Sequence, residues 1–180
     1  MGLFDMFKKK AEPEPKAPTA PDAVEAETSP GVLCAPVAGR VVAMADVPDP
    51  VFSGGALGLG CAIWPEGDVL YAPASGTVSA AMGHAVGLST DDGAELIIHV
   101  GIDTVEMQGK GFVPWAEQGA RVEAGQPILG IDRAAIREAG HPDCVVLAVS
   151  NSADFADVAL SVNPETTVAA GEAVLRVTRV

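Results

Sequence analysis

Two histidines carry the chemistry this sequence could do. The chain of 180 residues has three in all, and two of them, His84 and His99, stand fifteen positions apart. His99 closes the apolar run Leu96, Ile97, Ile98 and is followed at once by Val100, Gly101, Ile102 and Asp103. The intervening A-V-G-L-S-T-D-D-G-A-E-L-I-I-H-V has apolar stretches on either side of Asp91, Asp92 and Gly93. That pattern predicts a β-hairpin with its turn at the acidic pair. Residues near the outer ends of a hairpin lie side by side on adjacent strands, so the two rings would come within reach of one ligand. Three chemistries could use such a pair. Two neutral imidazoles can bind a metal, although a zinc site asks for a third protein ligand. One can act as a general base. One can be a nucleophile that takes a phosphoryl group while the other steadies the phosphate oxygens. The plainer alternative makes His99 a hydrogen-bonded core histidine and His84 a turn residue.

No other signature competes. The chain has no GxxxxGK[ST], GxSxG or HExxH, and the glycine-rich SGGALGLG fits no dinucleotide fingerprint. The third histidine, His141, sits beside a helix end and Pro142 and reads as a surface residue. Cys34, Cys61 and Cys144 form no CxxC pair, which argues for reduced thiols and a cytoplasmic setting. The formal charge of -13 argues against nucleic acid or an anionic membrane as the main partner of the folded part, and leaves room for a basic protein. No cofactor or metal is expected.

The elements that must position the pair read as short strands. Val, Ala, Gly and Pro dominate, and aromatic residues are 4% of the chain, a composition that suits strands and turns better than long helices. LCAPVAGRVVAM and LYAPASGTVSAA are two copies of A-P-x-x-G-x-V. RVEAGQPILGI and TVAAGEAVLRV are two copies of a strand, glycine turn, strand pattern. Two hairpin types, each present twice, predict an internally duplicated, all-β sandwich. Helices are expected at Arg133 to Gly140 and over SADFADVA. Residues 1–31 read as an N-terminal tether and residues 32–180 as the domain. The stretch from Lys8 to Pro30 is Pro, Ala and charge and is expected to be flexible. Ahead of it Leu3, Phe4 and Phe7 would share one face of a short helix ending in Lys8, Lys9 and Lys10, suited to peripheral membrane contact through residues 1–10. That start is not a signal peptide, since its charges follow the apolar run. Met6 stands where a myristoylation signal wants Ser or Thr.

The motif HVGIDTVEMQGKGF closely resembles the signature of the glucose-type enzyme IIA of the bacterial phosphoenolpyruvate-dependent sugar phosphotransferase system. So do APVAGRVV, DVPDPVF, APASGTV, GHAVGL, EQGARVEAGQPIL and VSN, in order, across Leu33 to Val177. The resemblance implies a β-sandwich of the duplicated hybrid type with one or two short helices. It implies a cytoplasmic phosphocarrier, a phosphotransferase component with a phosphohistidine intermediate. Such proteins accept a phosphoryl group from the carrier HPr and pass it to the IIB domain of a IIBC sugar permease, which itself selects the sugar. By the same resemblance His99 is the acceptor and His84 the supporting histidine. Asp49 and Asp103 match acidic positions that meet the basic donor, and Val51, Phe52, Ile97, Val105 and Met107 would form an apolar docking rim. The family's resemblance also allows a regulatory role, in which the unphosphorylated surface docks on permeases or metabolic enzymes. One departure stands out. Family members commonly carry a hydroxyl residue two positions before the supporting histidine, and here that position is Met82. A lipoyl- or biotin-carrying domain would share the glycine hairpins, but it needs a lysine at a hairpin tip, and Gly125 and Gly171 have none beside them.

Overall fold

The structure, a computed structural model, describes residues 18–180. Its strands are short and all paired antiparallel. The first half supplies β1 (Val32–Cys34), β2 (Gly39–Ala43), β3 (Leu59–Pro65), β4 (Val69–Tyr71), β5 (Gly76–Met82), β6 (Ala85–Thr90) and β7 (Glu95–Val100). The second supplies β8 (Phe112–Pro114), β9 (Arg121–Val122), β10 (Pro127–Ile131), β11 (Val145–Val149), β12 (Phe155–Leu160), β13 (Thr167–Val168) and β14 (Ala173–Arg179). Eight of them form one sheet in the order β13-β2-β3-β11-β7-β6-β5-β9, and β1-β14-β12 and β4-β10-β8 form two smaller sheets. Leu33, Leu70, Ile98, Leu129 and Leu147, drawn from all three sheets, meet in one buried core. The expected all-β sandwich is the fold.

Strand periodicity places the histidines. On β7, Leu96, Ile98 and Val100 point into that core and are almost fully buried, so Ile97 and His99 must point to the opposite face of the sheet. Its neighbour β11 is buried on both faces, and its unbroken run Val145 to Val149 is what such a strand requires. Val146 and Ala148 therefore help build a second, smaller apolar cluster with Val42, Val47, Phe52, Ala62, Ile102 and Cys144. His99 lies on the face of this second cluster.

The internal repeats exchange hydrogen bonds. In the first A-P-x-x-G turn, Ala35 N–H donates to Glu172 O at 2.7 Å and Ala35 O accepts from Gly171 at 3.0 Å. In the second, Ala72 N–H donates to Gln126 O at 2.8 Å and Ala72 O accepts from Gly125 at 2.9 Å. The turns also bond each other, through Tyr71 N–H to Pro36 O at 2.7 Å and Cys34 N–H to Pro73 O at 2.9 Å. Each turn is thus completed by a glycine hairpin remote in sequence, which is the duplication seen as geometry.

Three features differ from the sequence expectation. The segment expected to be free up to Pro30 instead lies along the domain from residue 18 onward, as a strap. Val24 N–H donates to Gly125 O at 3.0 Å, Glu27 N–H to Gly171 O at 3.4 Å, and the Trp115 indole N–H to Pro18 O at 2.8 Å. These are contacts to main-chain carbonyls, which cost the segment no apolar side chains. Residues 1–17, including the expected amphipathic helix, lie outside the described residues. Second, SADFADVA is not a helix: Ser152–Asp154 form one 3-10 turn and the chain then enters β12, where Phe155 pairs with Arg179. Third, a four-residue helix not expected from periodicity, α1 (Pro50–Ser53), lies beside the second apolar cluster. The expected helix after Asp132 is present as α2 (Arg133–Glu138). Asp132 caps it, and the buried Asp143 accepts from Arg133 at 3.0 Å and Arg137 at 3.1 Å, which pins it to the domain.

Candidate functional site

The β6–β7 hairpin forms in the expected register, with Ala85 opposite His99 and Ser89 opposite Glu95. His84 lies one residue beyond the last pair, and its carbonyl accepts from Val100 N–H at 2.8 Å. The two imidazoles meet edge-on, with ring centroids 5.0 Å apart and an interplanar angle of 72°. Phe52 of α1 comes against His99 from another side at 5.1 Å, tilted by 59°. Val146 of β11 is the direct strand neighbour on the side away from β6. His99 is therefore half-buried between a histidine, a phenylalanine and a valine.

The turn after β7 sets the ring's protonation. His99 Nδ1 lies 2.9 Å from the carbonyl oxygen of Gly101. A carbonyl can only accept, so Nδ1 carries the proton and Nε2 keeps its lone pair. Gly101 is held in turn. Its N–H donates to Cys144 O at 2.7 Å, and its φ of +73° lies where a side chain is strained. A Cβ there would come within 2.4 Å of Thr104 Cγ2 and 2.9 Å of Pro142 O. Thr104 is fully buried and its hydroxyl donates to Val100 O, closing the turn back onto the strand. Asp103, also left-handed at φ +57°, is exposed at the turn's tip.

Burial holds the His99 imidazole below the usual histidine range, and the neighbouring His84 pushes the same way. The Gly101 carbonyl and the carboxylates of Asp49 and Asp103 oppose that shift without overcoming it. Burial also lowers His84. Both rings are thus neutral at neutral pH, the form needed for a nitrogen nucleophile.

Asp49 is half-buried at the start of α1, where one carboxylate oxygen accepts from Val51 N–H at 2.8 Å and Phe52 N–H at 3.0 Å. Of the expected rim, Val51 and Val105 are exposed at 47% and 60%, and Ile97 is half-buried on the same sheet face as His99. Phe52 is buried against the ring rather than standing at a rim. Met107 does not join them: the 3-10 turn Thr104–Met107 carries it into the main core, where it packs with Phe112 and Ile136. Met82, singled out only as a departure, is 52% exposed and pairs with Ala85, which itself pairs with His99. It stands two strands across from His99 and two residues before His84, as an exposed apolar side chain. His141 is half-buried rather than on the surface, with Nε2 4.0 Å from a Glu106 carboxylate oxygen. The sequence marks Gly101 only by its place after His99; neither its carbonyl, which no residue type reveals, nor the anchoring Thr104 is evident there. Among the described residues, no cluster of three or more His, Cys, Asp or Glu side chains could hold a metal ion. Nor is any helix among them long and apolar enough to cross a membrane.

The family described as phosphoenolpyruvate-dependent sugar phosphotransferase system, EIIA 1, matches residues 31–155. The N-acetylglucosamine-specific EIICBA component of Escherichia coli K12 is 44% identical over 126 residues, covering 68% of this chain and 19% of the relative. The mannose-specific EIIBCA component of Corynebacterium glutamicum is 40% identical over 128 residues, 70% of this chain and 19% of the relative. The chain thus spans about a fifth of the length of these relatives. Among solved structures, the glucose permease IIA from Mycoplasma capricolum superposes with a TM-score of 0.69 at 28% identity, covering 80% of this chain and 93% of that one. The match takes in the β6–β7 hairpin, the turn after it and α1, so fold, site and sequence lead to one conclusion: this chain belongs to the EIIA 1 family of the phosphoenolpyruvate-dependent sugar phosphotransferase system.

Proposed function

We propose that the chain is a cytoplasmic phosphocarrier that takes a phosphoryl group from HPr on His99 and gives it to the IIB domain of a sugar permease. The observation that carries this reading is the Nδ1 hydrogen bond to Gly101, which leaves Nε2 as the free nucleophile. Nε2 forms a bond to phosphorus as the donor's own phosphorus–nitrogen bond breaks, and the ring then bears a positive charge. The Gly101 carbonyl on Nδ1–H, with Asp49 and Asp103 nearby, favours that charge. His84, edge-on to His99, supplies a donor to the phosphoryl oxygens. The half-buried setting excludes water from the labile bond, and the arrangement asks for positioning rather than new covalent chemistry. Val51, Met82 and Val105 offer the exposed apolar surface that a transient partner covers. The same surface fits a regulatory role, since phosphorylation adds about two negative charges where an apolar partner would dock.

Incubation with phosphoenolpyruvate, enzyme I and HPr tests the assignment. Wild type is expected to form an acid-labile, base-stable adduct. His99→Ala is expected to form none, and His84→Gln to be labelled yet donate poorly to IIB. Stoichiometric labelling of His99→Ala would overturn the reading.

A further inference from the structure

Asp49 enters the sequence reading as a charge that a basic donor would meet, but its contacts give it a second task. Its Oδ1 accepts from both Val51 N–H and Phe52 N–H, so it is the N-cap of α1. Pro50 follows at the first helical position, where its missing N–H costs nothing. The helix is a single turn of four residues, far below the length at which a helix forms by itself. Its other hydrogen bonds are local: Ser53 N–H and hydroxyl reach Asp49 O at 2.9 and 2.7 Å, and Gly54 N–H reaches Pro50 O at 3.1 Å. Phe52 is the one residue of this turn that is buried, and its ring lies against His99 at 5.1 Å. The capped turn, together with the second apolar cluster into which Phe52 packs, therefore holds that ring at the histidine.

We propose that Asp49 is a positioning residue for phosphoryl transfer, acting as the cap of α1 to hold Phe52 against His99, in addition to any attraction its charge exerts on a partner. The inference rests on His99 being the acceptor. With Phe52 seated, one side of the imidazole is closed to water and the ring cannot swing away from the Gly101 carbonyl. Without the cap, Val51 and Phe52 N–H lose their acceptor, the turn loosens, and His99 loses one wall.

Cap and charge separate by substitution, because Asn and Ser cap about as well as Asp but carry no charge, whereas Ala does neither. In the full chain, Asp49→Ala is expected to slow phosphorylation by HPr about tenfold, the scale of a lost cap. Asp49→Asn and Asp49→Ser are expected to recover most of that loss. The second readout is the NMR shift of the His99 ring protons in the unphosphorylated protein, which the Phe52 ring current sets. That shift should move in Asp49→Ala toward its value in Phe52→Ala, and stay near wild type in the Asn and Ser variants. Equal slowing in all three Asp49 variants, with His99 shifts unmoved, would overturn the proposal and leave only charge. Should Asp49→Ala fail to fold while Asp49→Asn and Asp49→Ser fold with wild-type ring shifts, the cap is what the turn requires; ring shifts in the Asn and Ser variants moved as far as in Phe52→Ala would overturn the proposal. If wild type takes no phosphoryl group on His99, the acceptor reading falls, while the ring shifts still report whether Asp49 seats Phe52.

Discussion

Replacing Gly101 by alanine tests whether the turn after β7, rather than the strand itself, sets the acceptor histidine. Two costs are expected. At φ +73° an alanine is in the left-handed region, which costs roughly 1–2 kcal/mol. The new Cβ would also lie 2.4 Å from Thr104 Cγ2 and 2.9 Å from Pro142 O. Thr104 is fully buried, branched and hydrogen-bonded to Val100, so it has nowhere to go. Overpacking of this kind adds roughly 1–3 kcal/mol. Gly109 is the control: its φ is +83° and a Cβ there meets nothing within 4 Å. Gly109→Ala should therefore show the conformational cost alone, and the difference between the two variants, about 1–3 kcal/mol, isolates the contact. The melt in urea reads both. Relief of the overlap moves the Gly101 carbonyl, and a lost hydrogen bond of roughly 1 kcal/mol corresponds to about a fivefold slower phosphorylation. Nitrogen NMR of the imidazole gives the third measure, since Nδ1–H should lose its predominance in Gly101→Ala. Two variants of equal stability, with the His99 tautomer intact in both, would refute the turn-based account.

Three further outcomes follow from the same contacts. Because His99 and His84 are held below their unfolded range, the unfolded chain takes up protons first on acidification. Stability should therefore fall as pH drops through about 6.5, and His99→Gln should flatten that slope; an unchanged slope would contradict the burial argument. Asp103→Asn keeps a side chain that tolerates φ +57° and removes an exposed charge. Its melting point should stay near wild type while phosphorylation by HPr at low salt slows severalfold and converges with wild type at high salt. A salt-independent rate would exclude steering by this charge. In a Trp64→Phe background, the chain lacking residues 1–23 should show redder Trp115 emission than the chain lacking residues 1–17, because only the former loses Pro18 O. Identical spectra for the two truncations would argue against the strap.

Much of the site was legible because it is built from local pattern. Alternation on β7, the Asp91-Asp92-Gly93 turn and the fifteen-residue spacing suffice to put His84 beside His99. The duplicated motifs were legible as repeats, but not the way each turn bonds a hairpin far along the chain, because main-chain partners leave no mark in residue type. The strap escaped notice for the same reason. Its composition shows too little apolar surface for a core, yet Val24 and Glu27 dock through backbone N–H groups. For α1 the signals were present, Asp49 as cap and Pro50 after it, but four residues are too few to show a helical period. Met107, assigned to the rim by resemblance alone, is carried into the core by the 3-10 turn Thr104–Met107, a local geometry that residue type does not announce.

The pairing of β1 with β14 sets Val32 opposite Arg176 and Leu33 opposite Leu175, so the first and last strands of the domain are hydrogen-bonded neighbours. The start of β1 and the end of β14 therefore lie at one place, while the strap of residues 18–31 carries the preceding chain across the domain toward Trp115. A unit whose first and last strands adjoin is a cassette: it can be placed behind or between other domains without separating those strands, with the strap as the connector on one side. The relatives named above, in which the matching region occupies 19% of a much longer polypeptide, use the fold in this modular way.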